Sequence, residues 1–297
     1  MSDEATPELP TRRSKLLGAD EAAAVIAPGS TVALGGWTFY NTSMTLVRAV
    51  ARARTTGLHL VSSPGAIGPD LLIAAGCVGT LSTPFLTMEQ FGLAPAFRRA
   101  ASDGTLEIRE MDGPALACGL RAAADDLPFG LIHDTGTDLP SVNPTYYIPF
   151  RHELGGDVKM FAVPALRADV AVIHAQRGDQ YGNLQYLGAT YFDQLIARSA
   201  KTVIATVDEL VDTSVIRQDP SLTKVPGMLV SAVVVQERAA APCGSHGNYQ
   251  PDLAHIERYA RMCASADGAA EYLAEFVDDA QPASPVLADT GGLPRGR

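Results

Sequence analysis

The sequence contains no run of about twenty apolar residues, so nothing in it reads as a helix crossing a bilayer. Basic runs are missing as well. Its 23 Lys and Arg lie scattered among 33 Asp and Glu, and the net charge of −10 repels phosphate backbones and anionic lipid. Nucleic acid and membranes are therefore excluded as expected partners. Cysteine is scarce, and Cys77, Cys118, Cys243 and Cys263 show neither CxxC spacing nor a nearby histidine pair. The expectation is four buried, reduced thiols, with no disulfide framework and no metal site. Neither GxGxxG nor GxxxxGK[ST] occurs, which argues against a dinucleotide or nucleoside triphosphate. The amino end, "MSDEATPELPTRRSK", has no apolar core of a secretory signal, which points to the cytoplasm.

What is present suits a large soluble core: 46% of the 297 residues are hydrophobic and 19% charged. The length exceeds the usual domain of about 100–200 residues, yet α/β folds of this size often form one unit. Residues 1–14 and the Pro, Gly and Ala-rich 279–297 read as disordered, leaving one domain over 15–278. Within it, "TVALGG", "GLHLVSS", "CVGTLST", "GTLEIRE", "ADVAVIHA" and "AKTVIATV" read as buried strands. Between several of them, "MTLVRAVARAR", "PDLLIAAG", "LAPAFRRAA" and "PALACGLRAAA" have helical spacing. This alternation predicts an α/β fold, a mainly parallel sheet with helices on both faces. From Asp134 to Lys159 the pattern lapses into an aromatic-bearing stretch, read as a lid, a partner surface or a structural excursion.

In such sheets ligands bind beyond the carboxyl ends of strands. Gly35 and Gly36 stand at one such end, in "GGWTFYNTSM". Glycine lets the backbone approach a ligand and leaves N–H groups for a carbonyl oxygen, although a turn made for packing would look the same. Trp37, Phe39 and Tyr40 beside it read as an uncharged pocket wall, or as core or interface residues. Gly65 and Gly68 precede Pro69 and Asp70 at a second helix entry. Period-two alternation in "GTLEIREMD" sets Glu107 and Arg109 on one face, with Glu110 near the strand end. A carboxylate there could serve as base or nucleophile, and a solvated strand edge is the plainer alternative. His174 reads as a satisfied core histidine or a catalytic one, and "DQYGN" after it as a hairpin. His246 lies in the small-residue loop "APCGSHGNYQPD", a ligand or subunit contact, while Ser245 has no acid and base near it in sequence.

Taken in order, "GSTVALGGW", "PGAIGPDLLIAAGCV", "FGLAPAFRRAASDGTLEIREMD", "GLRAAADDLPF", "PALRADVAVIHAQRGDQYGNLQYLG" and "CGSHGNY" resemble the α subunit of family I coenzyme A transferases. The resemblance implies a ribose-isomerase-like fold, a β-subunit partner of similar fold, and an acyl-coenzyme A substrate with no permanently bound cofactor. In that family coenzyme A moves between carboxylates through a glutamyl thioester, and the glutamate generally belongs to the β subunit. The Gly35–Gly36 turn would then line the acyl pocket and polarise the thioester carbonyl. The chain is also similar to a branch that opens a steroid ring of a coenzyme A ester hydrolytically, with an α-subunit glutamate as base; Glu107 and Glu110 are the candidates. That branch follows its glycine turn with basic residues and a proline, whereas here "TFYNTSM" is uncharged and Ser43 stands at the proline position. A neutral acyl group is expected accordingly. A non-catalytic metabolite-binding module is the competing class.

Overall fold

β-Branched and aliphatic runs form strands wherever both of their faces can be covered, and the strand Ala168–Gly178 is the clearest case: nine of its eleven positions are buried. In the computed structural model, which describes residues 12–278, this strand sits near the middle of a large sheet. The expected disorder of residues 1–11 and 279–297 lies outside the described residues, whereas Arg12 stacks over the Tyr181 ring at 5.5 Å.

The strands in chain order are β1 (Thr31–Leu34), β2 (Leu58–Ser62), β3 (Val78–Thr83), β4 (Glu107–Glu110), β5 (Phe129–His133), β6 (Ile148–Phe150), β7 (Met160–Pro164), β8 (Ala168–Gly178), β9 (Leu184–Gln185), β10 (Ala200–Leu210), β11 (Thr223–Val225) and β12 (Ala232–Val235). The helices are α1 (Ala19–Ala23), α2 (Met44–Arg52), α3 (Ile67–Ala74), α4 (Pro95–Ser102), α5 (Gly113–Ala124), α6 (Leu139–Val142), α7 (Asp193–Ser199), α8 (Thr213–Gln218), α9 (Leu253–Met262) and α10 (Ala266–Leu273). Pairing runs β12-β10-β8-β1-β2-β3-β4, all parallel. β9 and β11 extend β8 as antiparallel ribbons, and "DQYGN" is the hairpin that turns β8 into β9.

From β1 the chain steps outward through β2 and β3 to β4, then returns to lay β8 on the other side of β1 and moves outward again. The strand order therefore reverses between β1 and β8. Loops leaving the carboxyl ends of two such strands diverge and open a crevice, the usual place for a ligand in an open α/β sheet.

Each face has its own apolar core. On one, α2, α3, α9 and α10 bury Met44, Leu46, Val50, Leu71, Ile256 and Tyr272 against Leu34, Leu58 and Leu60. On the other, α5 and α7 bury Leu116, Leu120 and Ile196 against Val61, Ala171 and Ile173. Full burial of one such Leu or Ile contributes about 1.5–3 kcal/mol, so truncating Leu60 or Ile173 to Ala would weaken the sheet more than any surface change. Caps fix where the helices begin: Asp112 Oδ1 accepts from Ala115 N–H at 2.8 Å at the head of α5, and Asp252 Oδ1 from His255 N–H at 3.0 Å at the head of α9.

The aromatic stretch 134–159 is an ordered excursion. β6 joins β5 and β7 in a separate antiparallel sheet, and Tyr147 accepts a hydrogen bond from Asp112 N–H at 2.8 Å. Tyr146 reaches Ser82 on β3 at 2.9 Å. These contacts pin the stretch over the β3–β4 edge.

Candidate active site

Beyond β1 the chain makes a tight turn. Gly36 adopts φ +90°, and a side chain on either glycine would collide: at Gly35 with Asp193 and Ile173, at Gly36 with Thr42 Oγ1 at 2.6 Å. Both glycines are buried. Their N–H groups are already used, since Gly35 donates to Val172 O at 2.9 Å and Gly36 to Asp193 Oδ1 at 2.9 Å. Trp37 N–H donates to Tyr40 O and Thr38 N–H to Pro64 O, each at 2.8 Å, while Ser63 Oγ donates to Gly36 O. The expectation that the paired glycines leave bare amides for a ligand is corrected by these bonds. Here the missing Cβ atoms make room for Asp193 and Thr42.

Asn41 holds the turn to its neighbours. It is fully buried at φ +56°; its Oδ1 accepts from Gln176 Nε2 at 3.1 Å and from His246 N–H at 3.0 Å, and its Nδ2 donates to Ala189 O at 3.1 Å. One amide thus gathers the loops after β1 and β9 and the loop before α9. Where those loops meet, aromatic rings form a wall. Trp37 stacks on Tyr191 at 5.5 Å and leans on Phe192 at 6.1 Å; Tyr40 meets the His246 ring edge-on at 4.9 Å, and Tyr191 lies 6.1 Å from His246. Trp37, Tyr40 and His246 are half-buried, as a lining residue should be.

Three other expected lining residues sit elsewhere. Phe39 is 5% exposed and packs on Phe91 at 6.4 Å, which makes it core. Gly65 and Gly68 are close-approach positions: a Cβ would stand 2.6 Å from Pro69 Cγ and 2.6 Å from Thr42 Cγ2 respectively. They let α3 pack against the turns and face no opening.

Two carboxyls touch the wall's own elements. Asp193 begins α7 and is fully buried; burial pushes its carboxyl up to about 7, against the lowering effect of the Gly36 N–H and the Tyr186 hydroxyl at 3.0 Å. Asp208, on β10, behaves oppositely. Burial raises it, but bonds outweigh that and hold it down to about 2: His174 close by, Ser245 Oγ at 2.7 Å and Asn248 Nδ2 at 3.0 Å, with Tyr249 OH at 2.8 Å and Ala239 N–H at 2.9 Å also donating.

His174, Ser245 and Asp208 are therefore neighbours in space although far apart in sequence. The arrangement is not a hydrolase triad. His174 Nε2 meets Ser245 Oγ at 3.0 Å, but its Nδ1 meets Thr206 Oγ1 at 3.0 Å where a triad needs a carboxylate, and Asp208 bonds the serine directly. Both His174 and Ser245 are wholly buried, so the core reading of His174 holds.

The two glutamates lie apart from the wall. Glu107 and Arg109 share a face and pair at 2.7 Å; that bond, then one from Thr80 at 2.9 Å, lowers the Glu107 carboxyl below its ordinary range. Glu110 closes β4 with an exposed side chain, while its carbonyl accepts from Asn143 Nδ2 at 2.8 Å. β4 is three strands from β1, roughly 14 Å at the usual strand spacing. Glu110 and the glycine turn cannot grip one small group together.

Tyr191, Phe192, Asp193, Asn41 and Gln176 went unnoticed in the sequence because nothing local marks them. Next to Tyr191 an open pocket of about 440 Å³ is lined by Leu195, Met228, Leu229, Arg198 and Lys224 among others. Cations thus come close to the wall from distant positions, which weakens the inference of a neutral acyl group drawn from "TFYNTSM" alone. Among the described residues no cluster of His, Cys, Asp or Glu could hold a metal ion, and no helix is long and apolar enough to cross a membrane.

The family profile described as Coenzyme A transferase matches residues 17–236. An uncharacterized protein of Archaeoglobus fulgidus is 35% identical over 269 residues, which are 89% of this chain but 59% of that longer protein. The cholesterol ring-cleaving hydrolase IpdA subunit of Mycobacterium tuberculosis is 33% identical over 270 residues, covering 87% of this chain and 89% of its own. Among solved structures, glutaconate coenzyme A-transferase from Acidaminococcus fermentans superposes with a TM-score of 0.86 at 25% identity over 90% of each chain. The decarboxylase AibA/AibB does so with 0.79 at 30% identity, over 89% of this chain and 100% of that one. On a profile match that spans most of its length and a fold shared over 90% of it, the chain belongs to the coenzyme A transferase family.

Proposed function

We propose that the chain is the α subunit of a heteromeric, cytoplasmic coenzyme A transferase that acts on an acyl-coenzyme A ester. Coenzyme A moves between carboxylates through a glutamyl thioester on a β subunit, and this chain supplies the aromatic acyl wall. No resident cofactor takes part; coenzyme A enters as part of the substrate.

One observation carries the reading. The carboxyls that touch the wall, Asp193 and Asp208, are buried and taken up by donors of their own chain, so neither is free to attack a thioester carbonyl at the switch point. We therefore assign the nucleophile to another polypeptide. The similarity to a coenzyme A transferase favours a thioester substrate.

A second reading has its own support. Glu110 is exposed at a strand's carboxyl end, and the IpdA subunit is named as a ring-cleaving hydrolase, so Glu110, or Glu107 on the opposite face of the same strand, could activate water on a cyclic-ketone ester. The test is reconstitution with a B-type subunit, following acetyl-coenzyme A formation from an acyl-coenzyme A donor and acetate. Transfer that survives Glu110→Gln and Glu107→Gln supports the partner's nucleophile. Hydrolysis without transfer, abolished by either change, would establish the second reading instead.

A further inference from the structure

The small sheet β5-β7-β6 carries an apolar surface that the acyl wall does not use. Residues opposite one another in an antiparallel pair share a face, so Leu131, Ala162 and Ile148 form one row and His133, Met160 and Phe150 the next. The bond from Asp134 N–H to Lys159 O at 2.9 Å carries the pairing one step further, which sets Val158 on that same face. The alternate residues turn inward. Val163 is fully buried, Ile132 and Phe161 pack into the same core, and a Cβ on Gly130 would strike Cys118 Sγ of α5. The sheet is thus a further layer laid on α5, and no described residue covers its outer face.

That face is apolar where the solvated side of an antiparallel sheet is ordinarily polar. Phe129, Leu131, Ile148 and Val158 are 42%, 45%, 49% and 58% exposed, and the Phe129 and Phe150 rings approach to 6.1 Å over the small Ala162. A half-exposed side chain of this size shows about 100 Å², so these residues present on the order of 500 Å². A partner of standard size covers about 800 Å² of each protein, of which roughly three-fifths is non-polar, and the face alone supplies that apolar share. Its position selects the occupant. Just past the row of His133, Thr135 Oγ1 donates to Asp112 Oδ2 at 3.1 Å, beyond the carboxyl end of β4, and Asn143 Nδ2 holds the Glu110 carbonyl at 2.8 Å. The upper edge of the face therefore adjoins the ends of the strands, the side from which an attacking carboxylate must be delivered.

We propose that the outer face of β5, β6 and β7 is the seat of the β subunit, whose body rests there while another part of it reaches the acyl wall. This rests on the coenzyme A transferase reading above. The test is association of the full chain with the β subunit, followed by light scattering and titration, with no substrate present. Leu131→Glu and Ile148→Glu should each weaken the complex about a hundredfold, because a charge would be desolvated at the centre of the contact. Both positions are exposed, so the variants should keep the parental urea midpoint. Leu93→Glu, at a 64% exposed apolar side chain outside the face, should bind as the parent does. Amide exchange on the unmodified chain gives a second measure that serves even if a variant misfolds: the β subunit should protect Phe129–His133 and Ile148–Phe150. Unchanged binding by both variants, equal loss in Leu93→Glu, or protection that spares β5 and β6 overturns the proposal. A free chain that is dimeric, and is made monomeric by the same variants, overturns it in favour of a second copy of this chain. A parent that binds no β subunit overturns the functional reading instead.

Discussion

The amide of Gly36 and the carboxyl of Asp193 meet at 2.9 Å across 157 residues of sequence, joining the end of the first strand to the first turn of a helix near the middle of the fold. Everything at the switch point is arranged around that contact: the glycines that make room for it, the rings carried on either side, and the buried oxygen that ends the turn's donor list.

Replacing Gly35 with Ala forces a methyl onto Asp193 Oδ1 and Ile173 Cγ2, and overpacking of this kind costs about 1–3 kcal/mol. Gly113→Ala, where nothing stands within 4 Å, is the control and should fall within about 0.5 kcal/mol of the parent. Urea unfolding midpoints separate the two. Equal midpoints would mean that Gly35 is not a close-approach position.

Asn41→Ala strands the His246 N–H and one of the two hydrogens of Gln176 Nε2, whose other bond, to Ser245 Oγ at 3.1 Å, remains. Each unsatisfied donor costs about 1–3 kcal/mol, so the variant should unfold at clearly lower urea and lose the ordered stacking at Trp37. Retention of parental stability would show that the three loops are held by other contacts.

Ser245 should not react with a fluorophosphonate probe, because its hydroxyl is fully buried and already donates to Asp208 at 2.7 Å. Labelling at Ser245 would reinstate a serine-hydrolase reading that the His174–Thr206 bond argues against.

Stability should vary with pH in two separate windows. The Asp208 carboxyl is held down to about 2, so its contribution is fully present above pH 4 and is lost as pH falls toward 2. Asp193 is lifted to about 7, so the folded chain binds the extra proton: its penalty is absent below about pH 4 and grows as pH rises to 7. Urea titrations of the parent and of Asp193→Asn should differ in slope between pH 4 and 7, with the variant flatter. Parallel curves would place the Asp193 carboxyl in an ordinary environment.

The sheet was legible in the sequence because six runs, each bounded by glycine or polar turns, became β1, β2, β3, β4, β8 and β10, and the stretches between them became α2 to α5; β4, read as a buried strand, is instead the exposed edge of the sheet, with Glu107, Ile108 and Glu110 open to solvent. Strand order was not, since the reversal between β1 and β8 is a tertiary fact that no local pattern encodes. The same gap explains the site. Gly35 and Gly36 could be read as a special turn, but "YFDQ" gives no hint that Asp193 fills the space they leave, so the amides looked free. Phe39 and Tyr40 are adjacent, yet the turn sends one into the core and the other to the mouth. Ser245 seemed isolated only because His174 and Asp208 come from other strands.

An attacking carboxylate that belongs to a second polypeptide can be trapped there. The measurement is to mix the reconstituted complex with acyl-coenzyme A, reduce any enzyme thioester with borohydride and locate the reduced carboxyl by peptide mass spectrometry. Reduction is expected at one glutamate of the β subunit and at no carboxyl of this chain. A reduced Glu110, Glu107, Asp193 or Asp208 would contradict it.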